Sequence, residues 1–277
     1  MKVAVLGCSG AMGAYFIRRF LADGHEVAGS DIRPGSTPPA GLSFMSSNRE
    51  AVRGADAVLL AVPIRDTVNV AREVSACLKE GCVAVEMTSV KASLLGELKG
   101  AFARRRVALL SIHPLFGPLS KAPNPKIFVI GTPRDVSIAR SLFPWAKLLR
   151  LQEEEHDQVV AYALSMVHLL NLAFVSTLKK GIGVDEFVRV ATPMGSAQLN
   201  LAKAVLSQDP SLYSYIQLEN PYAGEVISTM VEELQELNKL IASKDSQGFE
   251  KRFVSLSAEF SRTELARALE RVYSASG

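Results

Sequence analysis

His113 stands in SIHPLFGP (111–118), between an apolar, β-branched run and a proline, in a chain that has only four histidines. An imidazole at a strand end can accept a proton near neutral pH, and it can equally be a hydrogen-bonded strand cap. Pro114 confines His113 to an extended backbone, and the Gly117-Pro118 turn closes the loop behind it. Upstream, EMTSVK (86–91) places Ser89 and Lys91 just after another apolar run, so a hydroxyl, an ammonium and an imidazole fall at two strand ends. A third element, VAVLGCSGAMG (3–13), carries Gly7, Gly10 and Gly13 directly from a strand into a helix. Small residues there allow a tight turn, and the N–H groups of Ser9, Gly10, Ala11 and Met12 at the helix N-terminus suit a pyrophosphate.

The glycine run acquires meaning from the next strand, which ends in Asp31, eighteen residues beyond Gly13, with Ile32 and Arg33 after it. A carboxylate at that position accepts hydrogen bonds from ribose hydroxyls and repels a 2′-phosphate, so NAD is the expected cofactor. Arg33 softens the preference and keeps NADP open. Ala61-Val62-Pro63, in LLAVPIRDT (59–67), is expected to line the same cofactor at the end of a further strand.

These residues need a scaffold that brings several strand ends together. Strands are expected at 2–6, 26–29, 57–61, 83–86, 107–111, 127–130 and 147–149, with helical patterns near 11–23, 47–53, 66–79, 91–104 and 134–145. This alternation predicts an α/β domain over 1–151, a Rossmann-type doubly wound parallel sheet in which ligands lie outside the carboxyl ends of the strands. Beyond residue 152 the strand signals stop. Apolar-periodic segments at 153–180, 184–207, 210–218, 221–242 and 246–274 predict an all-helical substrate and dimerisation domain over 152–277. RPGSTPPAG (33–41) reads as a loop of turn residues.

Residues 158–178 carry no formal charge and are numerous enough to cross a bilayer, but Gln158, Ser165, His168, Asn171 and Ser176 interrupt them. The expectation is a helix buried on nearly all sides in a dimer core, with no membrane involved.

Composition narrows the classes further. With 48% hydrophobic and 21% charged residues and a net charge of +3, the 277-residue chain is globular. Only Arg104-Arg105-Arg106 form a basic run, so no nucleic-acid partner is expected. Cys8, Cys77 and Cys82 lack the spacing of a zinc site or a disulfide framework, so no metal is expected and a cytoplasmic location fits.

In order and spacing, GCSGAMG, AVP, MTSVK, HPLFGP, EEEHDQVVAY, QDPSLY and IQLENP resemble the prephenate dehydrogenase family, from residue 2 to about 230. The resemblance implies NAD-dependent oxidation of the ring hydroxyl carbon of prephenate, with loss of CO2 and aromatisation to 4-hydroxyphenylpyruvate in tyrosine biosynthesis. Arogenate is the alternative substrate, and another NAD(P)-dependent small-acid dehydrogenase or a nucleotide-sensing module without chemistry are the other readings. On the resemblance, His113 is the catalytic histidine and Ser89 contacts both substrate and nicotinamide. His168, twelve residues after His156, lies near the substrate's side-chain end, or is a buried helix histidine. His156 and Asp157 are expected to shape the start of their helix, where an acid suits the dipole.

The resemblance breaks in one place. Where the family has a tyrosine and a cation in P-x-Y-R/K-x-x-L, TPMGSAQLNLA (192–202) has Gly195 and Ser196. A dicarboxylate substrate needs a fixed cation, so another residue is expected to replace it: Lys91, Lys121, Lys126, Arg189, Lys203, Arg252 or Arg262.

Overall fold

Short apolar runs alternating with amphipathic stretches have one stable solution, a sheet covered by helices on both faces. The computed structural model describes residues 1–33 and 39–274, without the side chain of Arg104. The expected loop 33–41 thus lies largely outside the described residues. Eight strands form one sheet: β1 (Lys2–Leu6), β2 (Glu26–Ser30), β3 (Leu42–Phe44), β4 (Ala57–Leu60), β5 (Val83–Glu86), β6 (Ala108–Pro114), β7 (Lys126–Ile130) and β8 (Lys147–Leu151). Their order is β3-β2-β1-β4-β5-β6-β7-β8. Helices α1 (Ala11–Ala22), α2 (Asn48–Ala51), α3 (Thr67–Ser75), α4 (Leu95–Phe102) and α5 (Pro133–Leu142) complete the first half.

The central strands are buried along almost their whole length, as their unbroken apolar runs require. Tyr15, Phe16 and Phe20 of α1 pack with Phe143 and Trp145, and the guanidinium of Arg19 lies over the Trp145 ring. Two features depart from the expected sheet. The edge strand β3 escaped the sequence pattern because it is three residues long with Ser43 and Phe44 exposed, so it carries no alternation. The sheet is also not wholly parallel, since β7 runs antiparallel to β6. A parallel crossover needs an intervening helix, and LFGPLSKAPNP (115–125) supplies only a proline-rich loop. The helix α5 between β7 and β8 restores parallel pairing there.

The chain divides into two compact units, Met1–Val159 and Val160–Gly277. Helix α6 (Glu153–Val160) therefore belongs mostly to the first. A π-helical turn, Ala161–Met166, links it to α7 (Val167–Lys180), and then come α8 (Val184–Val190), α9 (Pro193–Leu206), α10 (Pro210–Glu219), α11 (Ala223–Ser243), α12 (Ser246–Ser257) and α13 (Arg262–Ser274). Two long expected helices are broken. Pro193 starts α9 with Thr192 as its cap, the hydroxyl accepting from the Gly195 N–H. Ser261 and Glu264 form a reciprocal capping box that starts α13.

The charge-free stretch 158–178, expected to be buried in a dimer core, is partly exposed within the single chain: Tyr162 is 52% exposed, Val167 41% and Leu170 44%. The second unit offers the π turn and α7 only α9, α10 and α11 as principal partners beyond α8, too few to surround them. By length and composition, Glu153–Lys180 is apolar enough to cross a membrane.

Candidate active site

The glycine loop is shaped by close approach. Gly7 has φ +85°, and a Cβ there would lie 2.4 Å from the Ala61 carbonyl oxygen. A Cβ on Gly13 would lie 2.2 Å from the Gly7 carbonyl oxygen, so only glycine lets α1 start against β1. The loop thus brings Ala61 against Gly7, with Val62 half-buried and Pro63 exposed just beyond. Two of the expected phosphate donors are already engaged: the Ser9 N–H donates to Asp31 Oδ2 at 3.0 Å, and the Gly10 N–H to the Gly7 carbonyl at 3.1 Å. The N–H groups of Ala11, Met12 and Gly13, in the first turn of the twelve-residue α1, have no acceptor among the described residues. Asp31 also accepts from the Arg33 N–H at 3.0 Å, and Ile32 beside it is 91% exposed. Free helix N-terminal amides, a glycine turn and a carboxylate at the next strand end fit a dinucleotide.

β6 carries His113 to the carboxyl end of the parallel part of the sheet, opposite Phe128 of β7. The ring is 4% exposed, and its Nδ1 lies 3.0 Å from Nε2 of His156. His156 is fully buried, and its own Nδ1 lies 2.7 Å from Asp157 Oδ1. Asp157 in turn accepts the backbone N–H of Ala92 at 2.7 Å and of Lys91 at 3.0 Å. Burial pushes the Asp157 carboxyl up, but the His156 ring and these two N–H groups outweigh it, and the net shift is downward. Burial, the Lys91 charge and His156 hold His113 well below the ordinary histidine value, so it is neutral at pH 7. Burial lowers His156 too, against the opposing pull of Asp157.

Lys91 does not reach toward a substrate. It is 1% exposed, and its ammonium donates to Glu86 Oε1 (2.5 Å), the Ile112 carbonyl (2.7 Å) and the Thr88 carbonyl (2.8 Å). An ammonium has three N–H donors, and all three are used. Glu86, wholly buried, also accepts from the Ser111 hydroxyl and from the Thr88 N–H (2.9 Å) and hydroxyl (2.6 Å). Lys91 is thereby a buried structural cation under the site. Ser89 is half-buried in the same loop and makes no hydrogen bond among the described residues.

In the sequence, His156 and Asp157 read as the start of a helix. Their neighbourhood with His113 spans 43 residues, so no local spacing announces it. The signal that was available is the adjacent His-Asp pair in a stretch of family-like sequence.

In the second unit, the His168 ring stacks on Tyr213 with centroids 4.1 Å apart and planes 30° apart. Both border a cavity of about 460 Å³ with Gln208, Ser214, Gln217 and apolar side chains, and no lysine or arginine among the described residues lines it. Burial pushes His168 down to about 4, so it carries no charge at pH 7. Its Nδ1 is buried without a partner among the described residues. Ser196 is half-buried in the first turn of α9, and Gln198 donates to Asn171 Oδ1 at 2.9 Å. Of the expected replacement cations in this unit, Arg189, Lys203, Arg252 and Arg262, none lines the cavity. Arg189 is paired with Glu186 and Arg252 with Glu233, while Lys121, Lys126, Lys203 and Arg262 are exposed.

Two family models match the sequence: "Prephenate dehydrogenase, nucleotide-binding domain" over residues 14–126, and "Prephenate dehydrogenase, dimerization domain" over 152–255. The chain belongs to the prephenate dehydrogenase family. A Methanocaldococcus jannaschii relative named "Probable arogenate/prephenate dehydrogenase" is 26% identical, over 91% of this chain and 59% of its own length. The T-protein of Enterobacter agglomerans is 24% identical over 89% of this chain and 64% of its own. The chain therefore spans about three fifths of the length of these relatives. A 4-amino-4-deoxyprephenate dehydrogenase of Streptomyces pristinaespiralis is 25% identical over 99% of this chain and 97% of its own. Among solved structures, prephenate dehydrogenase from A. aeolicus, in complex with hydroxyphenyl propionate and NAD+, superposes with a TM-score of 0.74 at 19% identity, covering 96% and 98% of the two chains. Synechocystis arogenate dehydrogenase gives 0.73 at 17% identity, covering 94% and 98%. These likenesses establish the fold of the family: a nucleotide-binding domain followed by a helical one.

Proposed function

We propose that the chain is an NAD-dependent dehydrogenase that oxidises and decarboxylates prephenate to 4-hydroxyphenylpyruvate. The observation that carries this reading is His113, a neutral, buried imidazole at the carboxyl end of β6, in the same sheet whose first strand feeds the glycine loop. The amides of Ala11, Met12 and Gly13 would hold the pyrophosphate and Asp31 the ribose. When bound, the nicotinamide supplies the acceptor for the hydride.

His113 takes the proton of the ring hydroxyl while the hydride leaves the same carbon, which leaves a ring ketone. The C–CO2 bond then breaks, its electron pair enters the ring, and the phenolate oxygen takes the proton back from His113. Net, the substrate loses a hydride and CO2, and the enzyme's proton inventory is unchanged. Ser89, half-buried in the loop after β5 and unpaired among the described residues, would donate to or accept from the substrate hydroxyl. Aromatisation supplies the driving force, so the side chains position the ring and hold one proton.

Arogenate shares the ring chemistry. The neutral surroundings of His168 and the serine at 196 weaken the case for a side-chain end read by a strong cation. A second reading, the 4-amino-4-deoxy analogue of prephenate, is favoured by the near end-to-end match to the Streptomyces relative. Absorbance at 340 nm with NAD and each of the three substrates separates these readings. We expect turnover with prephenate, and a loss of about 10²–10⁴-fold in His113→Asn. Absence of turnover with all three despite NAD binding, or a His113→Asn variant of near-normal rate, overturns the proposal.

The apolar face left exposed on the π turn, α7, α11 and α12 supports a homodimer built through the second unit.

A further inference from the structure

The buried chain from His113 through His156 to Asp157 has one consistent hydrogen assignment. Asp157 is ionised and can only accept, so Nδ1 of His156 carries a proton toward Oδ1 at 2.7 Å. His156 is neutral, so its Nε2 is bare and accepts from His113 Nδ1 at 3.0 Å. His113 is neutral as well, and its Nε2 is then the nitrogen without a proton. We infer that His156 and Asp157 are positioning residues that hold His113 in the tautomer able to accept the substrate's proton. Resting on the dehydrogenase reading above, the same chain stabilises the proton while it is held: as Nε2 is protonated, the His113 Nδ1–H strengthens its bond to His156, and the positive charge is drawn toward Asp157. If the Nδ1 proton crosses to His156 Nε2, the imidazolium rests directly against the carboxylate. When the phenolate reclaims its proton, both steps reverse.

The groups that face His113 support this direction of polarity. Lys91 and Glu86 sit on the β5 side as a closed ion pair, β7 brings the Phe128 ring against His113, and the acceptor chain comes from α6. The Asp157 carboxylate, one ring beyond, is thus the anion toward which a transient His113 cation can be drawn.

Asp157→Asn is informative because the shortest backbone bond to this group orients its amide. Oδ2 receives the Ala92 N–H at 2.7 Å, while the Lys91 N–H is shared between Oδ1 and Oδ2 at 3.0 and 3.1 Å, so the amide oxygen keeps the Ala92 side and the NH2 faces His156. The NH2 then donates to His156 Nδ1, His156 carries its proton on Nε2, and His113 is forced to put its own proton on Nε2. The base is occupied.

The test reads tautomers and rates separately. In 15N-histidine-labelled protein the four rings are few enough to assign with His113→Asn and His156→Phe. We expect His113 and His156 both protonated on Nδ1 in the unaltered chain, and both on Nε2 in Asp157→Asn. This readout needs no substrate, so it stands or falls apart from the assigned reaction. In turnover, His156→Phe should lower kcat by about 10- to 100-fold with KM little changed, the loss of one hydrogen bond to a charged ring. Its acid limb should move to lower pH: His156 repels the His113 cation only when it is itself protonated, and the neutral ring that phenylalanine replaces is that cation's hydrogen-bond acceptor. His156→Gln, whose carbonyl can accept from His113 Nδ1, should recover part of kcat. A purely structural role predicts a rate loss with an unmoved acid limb and no recovery by glutamine. His113 found protonated on Nε2 in the unaltered chain, or a tautomer unchanged in Asp157→Asn, overturns the inference.

Discussion

Lys91→Met removes the ammonium while keeping an unbranched side chain that is one atom shorter. The Lys91 N–H that holds Asp157 is untouched, so the variant isolates the charge. What it leaves behind is the Glu86 carboxylate, wholly buried, with Ser111 and Thr88 as its remaining donors. Breaking a buried ion pair from one side costs about 3–5 kcal/mol, because the surviving charge stays desolvated. That is a large part of the ~5–15 kcal/mol that holds a typical domain folded. Replacing both partners should recover most of it: Lys91→Met with Glu86→Gln should lie within about 2 kcal/mol of the unaltered chain, since a neutral buried pair carries no desolvated charge. Trp145, the single tryptophan, sits in the aromatic cluster of the first unit, so its fluorescence during urea unfolding reports that unit. A single variant less than about 1 kcal/mol below the parent, or a double variant as unstable as the single, would refute the structural role. A Lys91→Met protein of parental stability with a raised KM would return Lys91 to the substrate. The same change lifts one of the charges that hold His113 down, so its ring should titrate higher in the variant.

The same geometry sets three further outcomes. His113, His156 and His168 all bind protons less readily folded than unfolded, so the unfolded chain takes up protons first as pH falls below about 6.5. Stability should therefore be full above that value and decline toward pH 4, where His168 itself titrates, seen as a falling urea midpoint; a midpoint flat from pH 7 to 4 contradicts the burial of these rings as neutral species. Gly13→Ala places a methyl 2.2 Å from the Gly7 carbonyl oxygen, which should cost about 1–3 kcal/mol and abolish NAD binding by calorimetry, and retention of parental affinity would argue against the loop as the cofactor cradle. Phe253 and Ile241 are 67% and 64% exposed, and changing both to Asp should convert a dimer to monomers in sedimentation; a dimer that persists refutes this face as the interface.

The alternation of apolar runs over the first half and their disappearance after residue 152 were legible because period and composition are local properties. So was the glycine loop, whose spacing reflects contacts between residues only six apart, such as Gly13 against Gly7. The place of His113 at a strand end was legible too, since an apolar run stops at the proline that follows it. Two element boundaries were missed where a cap competes with an apolar period, at Thr192 and Ser261, although both carry local signals. What tertiary structure alone decided was the meaning of the charges. Lys91 reads as a free cation in the sequence and is a saturated buried one in the fold, because its acceptors come from Ile112 and Glu86 on neighbouring strands. His156 and Asp157 read as a helix start and stand behind His113, because 43 residues of chain return to the same strand end. A side chain's type is written in one position, but its pKa and its donor or acceptor role are set by desolvation and partners within a few ångströms, and those partners are assembled only when the sheet closes around them.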